Sequence, residues 1–168
     1  RIAMAFMSFE PFLYARCDLR FLRLDEVNVK KSGKYSIYEL NSLNPQAKQE
    51  IFNYTALNNE LFNKGDELVI TILKRKIILF RNFTQNLDNF KEAKLRHIVF
   101  SLLLFCASAV FGVFCVKNGF LGVDIAFFML FLLGFVISLI NFGLLKKQIR
   151  ILSTLSKEDF INYTHKTE

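Results

Sequence analysis

There is no tryptophan in these 168 residues, and only two prolines, two histidines and three cysteines. Each shortage removes something. Without tryptophan, an aromatic belt at a membrane surface has to be built from Tyr and Phe. Cys17, Cys106 and Cys115 form no CxxC pair and match no metal-ligand spacing, so we read them as small apolar residues. His97 and His165 have no Cys or carboxylate at ligand spacing, and no Ser/His/Asp grouping is suggested by position. The seven glycines are scattered, which excludes a phosphate-cradling loop. No apolar region followed by a small-residue cleavage site marks a signal peptide. With no catalytic set, no metal site and no cofactor motif, the chain does not read as an enzyme.

What the chain does have is apolar length. It is 52% hydrophobic, with 20 phenylalanines. Ile98 to Val116 carries no charge, and Val123 to Leu145 carries only Asp124 at its start. About 20 apolar residues at about 1.5 Å rise span a bilayer core of about 30 Å. Lys117 to Gly122 supplies the polar and glycine punctuation of a turn. We therefore expect a predominantly α integral membrane protein built on a two-span transmembrane hairpin, 98–116 and 123–145. The rest divides into an amphipathic interfacial segment (1–24), a cytosolic region leading into the first span (25–97), and a cytosolic C-terminal helix and tail (146–168).

The region ahead of the spans is read as helical, with part of it possible as β. In 1–24, Phe12, Ala15, Leu19 and Leu22 fall on one helical stripe and Arg16, Arg20 and Arg23 on another. That pattern suits a helix in the headgroup layer, a helix packed on its own soluble domain, or the tail of a span that begins upstream. Leu24 to Leu40 alternates around Lys30-Lys31-Ser32-Gly33-Lys34 as a hairpin would, although Ser36 and Glu39 also resemble a helix-capping box. Asn44 as N-cap, Pro45 at the first position and Gly65 at the end frame a helix through Ala47, Ile51, Tyr54 and Leu61. From Asp66 to Arg96 both patterns are present. Leu68 to Leu73 and Ile77 to Phe83 have strand composition, but the intervening Lys74-Arg75-Lys76 lacks the glycine a two-residue hairpin prefers. We take the helical alternative there.

Within the hairpin, Ser108 with Gly112 and Gly134 with Ser138 are small-xxx-small pairs that let helices approach. Folding at Gly119-Phe120 sets Phe105 opposite Gly134, Phe127 opposite Gly112 and Ser101 opposite Ser138. Asn141 is expected at a helix interface, and Phe128, Phe131 and Phe135 are left for lipid or another subunit. The helix-packing set is thus Ser101, Ser108, Gly112, Gly134, Ser138 and Asn141. Arg16, Arg20, Arg23, Arg96, Lys146 and Lys147 are the expected headgroup contacts.

The expected role is a non-catalytic accessory, anchoring or scaffold subunit of a membrane assembly. Its partners are the bilayer and other membrane subunits or copies of itself. The alternative is a homo-oligomeric two-span channel or pore-forming effector gated by its cytosolic region, for which Ser101, Ser108 and Cys115 supply a thin polar stripe at seven-residue spacing. The net charge of +7 fits headgroup contact and topology, and no aromatic-plus-basic motif points to nucleic acid.

Topology follows from charge. Lys91, Lys94, Arg96, Lys146, Lys147 and Arg150 flank the outer ends of the hairpin, against Lys117 in the turn. Positive charge on the cytosolic side places both termini in the cytoplasm. In a variant lacking the native cysteines, an impermeant thiol reagent on intact cells should label a cysteine at Asn118 and miss one at Asn162. Labelling at Asn162 alone would reverse the orientation.

Overall fold

The computed structural model describes residues 13–43, 49–57, 60–119 and 122–165. The expected N-cap and first turn at Asn44, Pro45 and Ala47, the start of the 1–24 segment, and Phe120 and Leu121 in the connection lie outside them. The chain forms two compact units. One comprises residues 1–16 and 91–148, the other residues 17–90 and 149–168.

The second unit is a six-stranded sheet: β1 (Asp18–Ser32), β2 (Tyr35–Leu43), β3 (Gln49–Ala56), β4 (Glu67–Leu73), β5 (Lys76–Asn82) and β6 (Leu87–Asp88). The order is β3-β2-β1-β4-β5-β6, antiparallel throughout, and β3 also meets β5 in a parallel bridge at Asn53 and Lys76. The first half of β1 pairs with β4 and the second half with β2. One long strand serves two neighbours, and the parallel bridge brings the first and fifth ribbons together. The six-stranded sheet thus curls into a partly closed barrel. Leu22, Leu24, Tyr38, Leu40, Phe52, Tyr54, Leu68, Ile70 and Phe80 fill its interior. Phe62 sits among the aromatic rings, 4.7 Å from Phe80, 5.2 Å from Tyr38 and 5.8 Å from Tyr54, edge-on to the two tyrosines. Such pairs add about 0.5–1.5 kcal/mol beyond their area burial.

Strands occupy most of what the sequence suggested as helix. Of the stripe from Phe12 to Leu22, Phe12 lies outside the described residues, and the rest is a short 3-10 turn, Leu13–Arg16, followed by β1. The helix through Ile51 and Tyr54 is β3, where Phe52, Tyr54 and Ala56 alternate into the core. Ser36 and Glu39 lie in β2, in the hairpin that the alternation suggested, and cap no helix. Over 66–96 the structure has β4, β5, β6 and then a helix from Phe90.

The reason for this last difference is local. Lys74 and Arg75 form the two-residue turn themselves with φ of 48° and 65°, left-handed values that glycine adopts without cost. The sequence therefore omits the expected turn signal. Val69, Ile70, Thr71 and Ile72 are all buried, so β4 is covered on both faces and shows no alternation.

Two long helices follow, α1 (Phe90–Lys117) and α2 (Gly122–Thr154), then a short α3 (Lys157–His165). Both long helices outrun the expected 98–116 and 123–145 spans at their outer ends. Asp88 accepts from the Phe90 amide at 3.0 Å and caps α1. Ser156 and Asp159 form a reciprocal cap for α3, with N–H to oxygen distances of 2.7 and 3.3 Å.

Replacing Lys74-Arg75 with Asn-Gly should relieve the left-handed strain. The expected result is a gain of about 1 kcal/mol in unfolding free energy by denaturant titration. A loss would mean that the two side chains stabilise the turn.

Candidate functional site: the helical seam and the grip of β5

The seam between α1 and α2 is polar at one level and aromatic over the rest. Ser101 and Ser138 approach to 2.6 Å between hydroxyls, an inter-helix hydrogen bond. Ser108 donates to the Phe105 carbonyl of its own helix at 2.8 Å and is buried. Gly134, Ser138 and Asn141 are buried on α2. Towards the outer ends, His97 is buried and its Nε2 lies 2.7 Å from the Tyr14 hydroxyl. The Gln148 amide donates to the Tyr14 carbonyl at 3.2 Å. His97 Nδ1 is buried with no hydrogen-bond partner.

The pairing of larger side chains differs by about one residue from the sequence expectation. A Cβ at Gly112 would stand 3.3 Å from the Phe128 ring, so Phe128 is its close neighbour across the seam. Phe105 meets Phe135 at 5.5 Å. Phe111 stacks on Phe127 at 5.1 Å and on Phe131 at 5.4 Å, with interplanar angles of 23° and 13°. Phe128, Phe131 and Phe135, expected on the outer face, thus turn into the hairpin. Each helical residue advances the side chain by about 100°, so a slip of one residue in the reversal selects a different face. Ring-on-ring contact also gains dispersion that a phenylalanine over a glycine alone cannot supply.

The expected headgroup residues do not form one face. Arg16 ends the 3-10 turn, while Arg20 and Arg23 are three apart on β1 and so point to opposite sides of a strand. Arg20 Nη1 reaches both Glu50 carboxylate oxygens at 3.1 Å. Arg96 pairs with Glu92 one turn back at 2.9 Å, and Lys146 Nζ lies 4.7 Å above the Phe142 ring. Lys147 is exposed.

In the sheet unit, β5 holds two helix ends, a feature with no sequence signature. Asn89, just before α1, accepts from the Phe80 amide and donates to the Ile78 carbonyl, both at 3.0 Å, and lies 3.2 Å from the Tyr54 hydroxyl. One residue after Phe80, Arg81 Nη1 donates to the carbonyls of Leu152, Ser153 and Leu155 at 3.1, 2.9 and 2.9 Å. Leu152 and Ser153 belong to the last turn of α2 and Leu155 follows its end, where a cation also meets the negative end of the helix dipole. Lys157 adds an ion pair to Glu67 at 3.1 Å. Asp66, buried, accepts from Asn82, Gln85 and the Asn63 amide at 2.7, 2.6 and 2.8 Å, which fixes the loops around this end of the sheet. An asparagine before a helix signals a cap, but its bonds to β5 and the reach of Arg81 depend on contacts 71 to 74 residues apart and less.

Among the described residues no group of three or more His, Cys, Asp or Glu could hold a metal ion. The outer face of β2 and β3 presents Tyr35, Ile37, Glu39, Ile51, Asn53 and Thr55.

No family model matches the chain, and no curated protein does. Among solved structures it is similar to a DUF1093 family protein from Bacillus subtilis. The identity is 15%, over 39% of this chain and 76% of that one, with a TM-score of 0.29.

Two substitutions separate the seam from the grip. Gly112→Leu should destabilise the isolated protein in detergent by about 1–3 kcal/mol, because the Phe128 ring has to move. Phe131→Leu, which unstacks Phe111, should also lower the thermal midpoint. A neutral Phe131→Leu would place that ring outside the seam. Arg81→Ala should speed amide exchange selectively over residues 149–155, by uncapping three carbonyls.

Proposed function

We propose that the chain is a non-catalytic, membrane-anchored accessory or scaffold subunit. In this reading α1 and α2 cross the bilayer as a hairpin, both termini are cytosolic, and the barrel is the part that meets partners. The observation that carries it is the exposure of the apolar helices. Only 17% of the best apolar window in α1 and 11% of that in α2 are buried. The core helix of a water-soluble domain buries most of such a window. Here Leu102, Leu103, Val116, Leu130 and Leu133 are each about 60–70% exposed, a surface far beyond the apolar patch a soluble monomer shows.

The scaffold role is favoured over a pore by where the polar residues go. A pore needs a polar stripe facing a lumen. Ser101 is bonded to Ser138, Ser108 to its own helix, and Cys115 is buried. The thin stripe seen in the sequence is used within the hairpin. A non-catalytic role is supported by the buried polar groups: Asp66, Asn82 and Asn89 are engaged in hydrogen bonds that hold loops and helix ends.

Carbonate washing of membranes should leave the protein in the pellet, and release into the supernatant would overturn the anchoring. The mass of the detergent-solubilised protein then divides the roles. Other chains in the particle and no ion flux after reconstitution are expected. A ring of identical chains that conducts ions would establish the pore instead.

A further inference from the structure

We propose that the β4–β5 turn, Lys74-Arg75-Lys76, docks on the anionic headgroup surface of a bilayer. The inference rests on the membrane anchoring above and adds a second, electrostatic attachment made by the barrel.

Three observations point there. First, the turn is a free cation cluster. All three residues are exposed, and none of their side chains makes an ion pair or hydrogen bond among the described residues. The register neighbours Asn53 and Leu73 are uncharged, and the nearest acidic position along the strands is Asp18, opposite Ile72. Three other basic residues are spent differently, Arg20 on Glu50, Arg81 on carbonyls at the end of α2 and Lys157 on Glu67.

Second, the turn keeps its cations at a conformational cost. Lys74 and Arg75 both hold left-handed φ, where Asn-Gly would sit without strain. The backbone is also pinned: the Asn53 amide donates to the Arg75 carbonyl at 3.0 Å, so the cluster is presented from a fixed edge of the barrel.

Third, a bilayer is the polyanion within reach. Asn89 fastens the start of α1 to Ile78 and Phe80, so Phe90 begins about three strand residues, or about 10 Å, from Arg75. The uncharged run starts at Ile98, eight helical residues or about 12 Å beyond Phe90. A tether of this length lets the turn reach the headgroups, and within about one Debye length of them an anionic leaflet attracts Lys and Arg. An acidic protein has no comparable tether.

The test uses the full chain in vesicles. An environment-sensitive dye is placed at Asn53→Cys, beside the turn, with the native cysteines replaced, and headgroup-labelled lipid serves as quencher. The expected result is much stronger quenching with about 30% phosphatidylserine than with phosphatidylcholine alone. It should fall to the neutral-lipid level near 1 M salt, where the Debye length is about 3 Å. The Lys74→Gln/Arg75→Gln/Lys76→Gln variant should lose it too, at about fivefold in the docked-to-undocked ratio per cation removed. Equal quenching in neutral and anionic vesicles, or quenching unchanged in the triple variant, overturns the docking while a carbonate-resistant protein keeps the anchoring. A protein that carbonate strips from these vesicles overturns both.

Discussion

Strand β5 is the element on which the other parts converge. Phe80 points into the barrel among Tyr54 and Phe62, while its amide is taken by Asn89 at the root of α1. Arg81, on the other face, spends one guanidinium nitrogen on three carbonyls at the end of α2. Bonds that involve a charged group contribute about 1.5–3 kcal/mol each, more than neutral ones. Two consecutive residues thus fix the core, the start of one long helix and the end of the other. The barrel behind them gives the strand its rigidity, since β5 is paired with β4 along its length and bridged to β3.

The hairpin is held by a different kind of force. In the bilayer setting proposed above, two apolar helices would gain little from the hydrophobic effect against one another, and association would come from close packing and a few polar bonds. The seam supplies both. Phe111 lies between Phe127 and Phe131, Phe128 fills the space over Gly112, and one hydroxyl pair ties Ser101 to Ser138. Glycine at position 112 matters for what it leaves free, because a side chain there would collide with the Phe128 ring.

These two kinds of cohesion suit the proposed division of labour. A barrel with a full aromatic core is stable in water and presents loops. Helices that leave their apolar sides uncovered are stable where the surroundings are apolar. In the sheet unit the buried Asp66, Asn82 and Asn89 position loops and helix ends. The function proposed for the chain is accordingly one of holding and presenting.

The sequence by itself determined the two apolar runs, their order, the polar connection between them and the bias of positive charge, because length and hydropathy are sums over neighbouring residues. It also brought Ser101 and Ser138 to a common depth, since depth depends only on counting from the turn. The rotation of α2 was beyond that count, because a shift of one residue turns a different face and the packing of whole rings selects among them. The barrel was hidden for related reasons. Burial on both faces removes the alternation from β4, and the β4–β5 turn uses Lys and Arg where glycine is the usual signal. Which strand grips which helix was decided only by the tertiary structure, because Arg81 and the carbonyls it caps are brought together across some seventy residues by the fold alone.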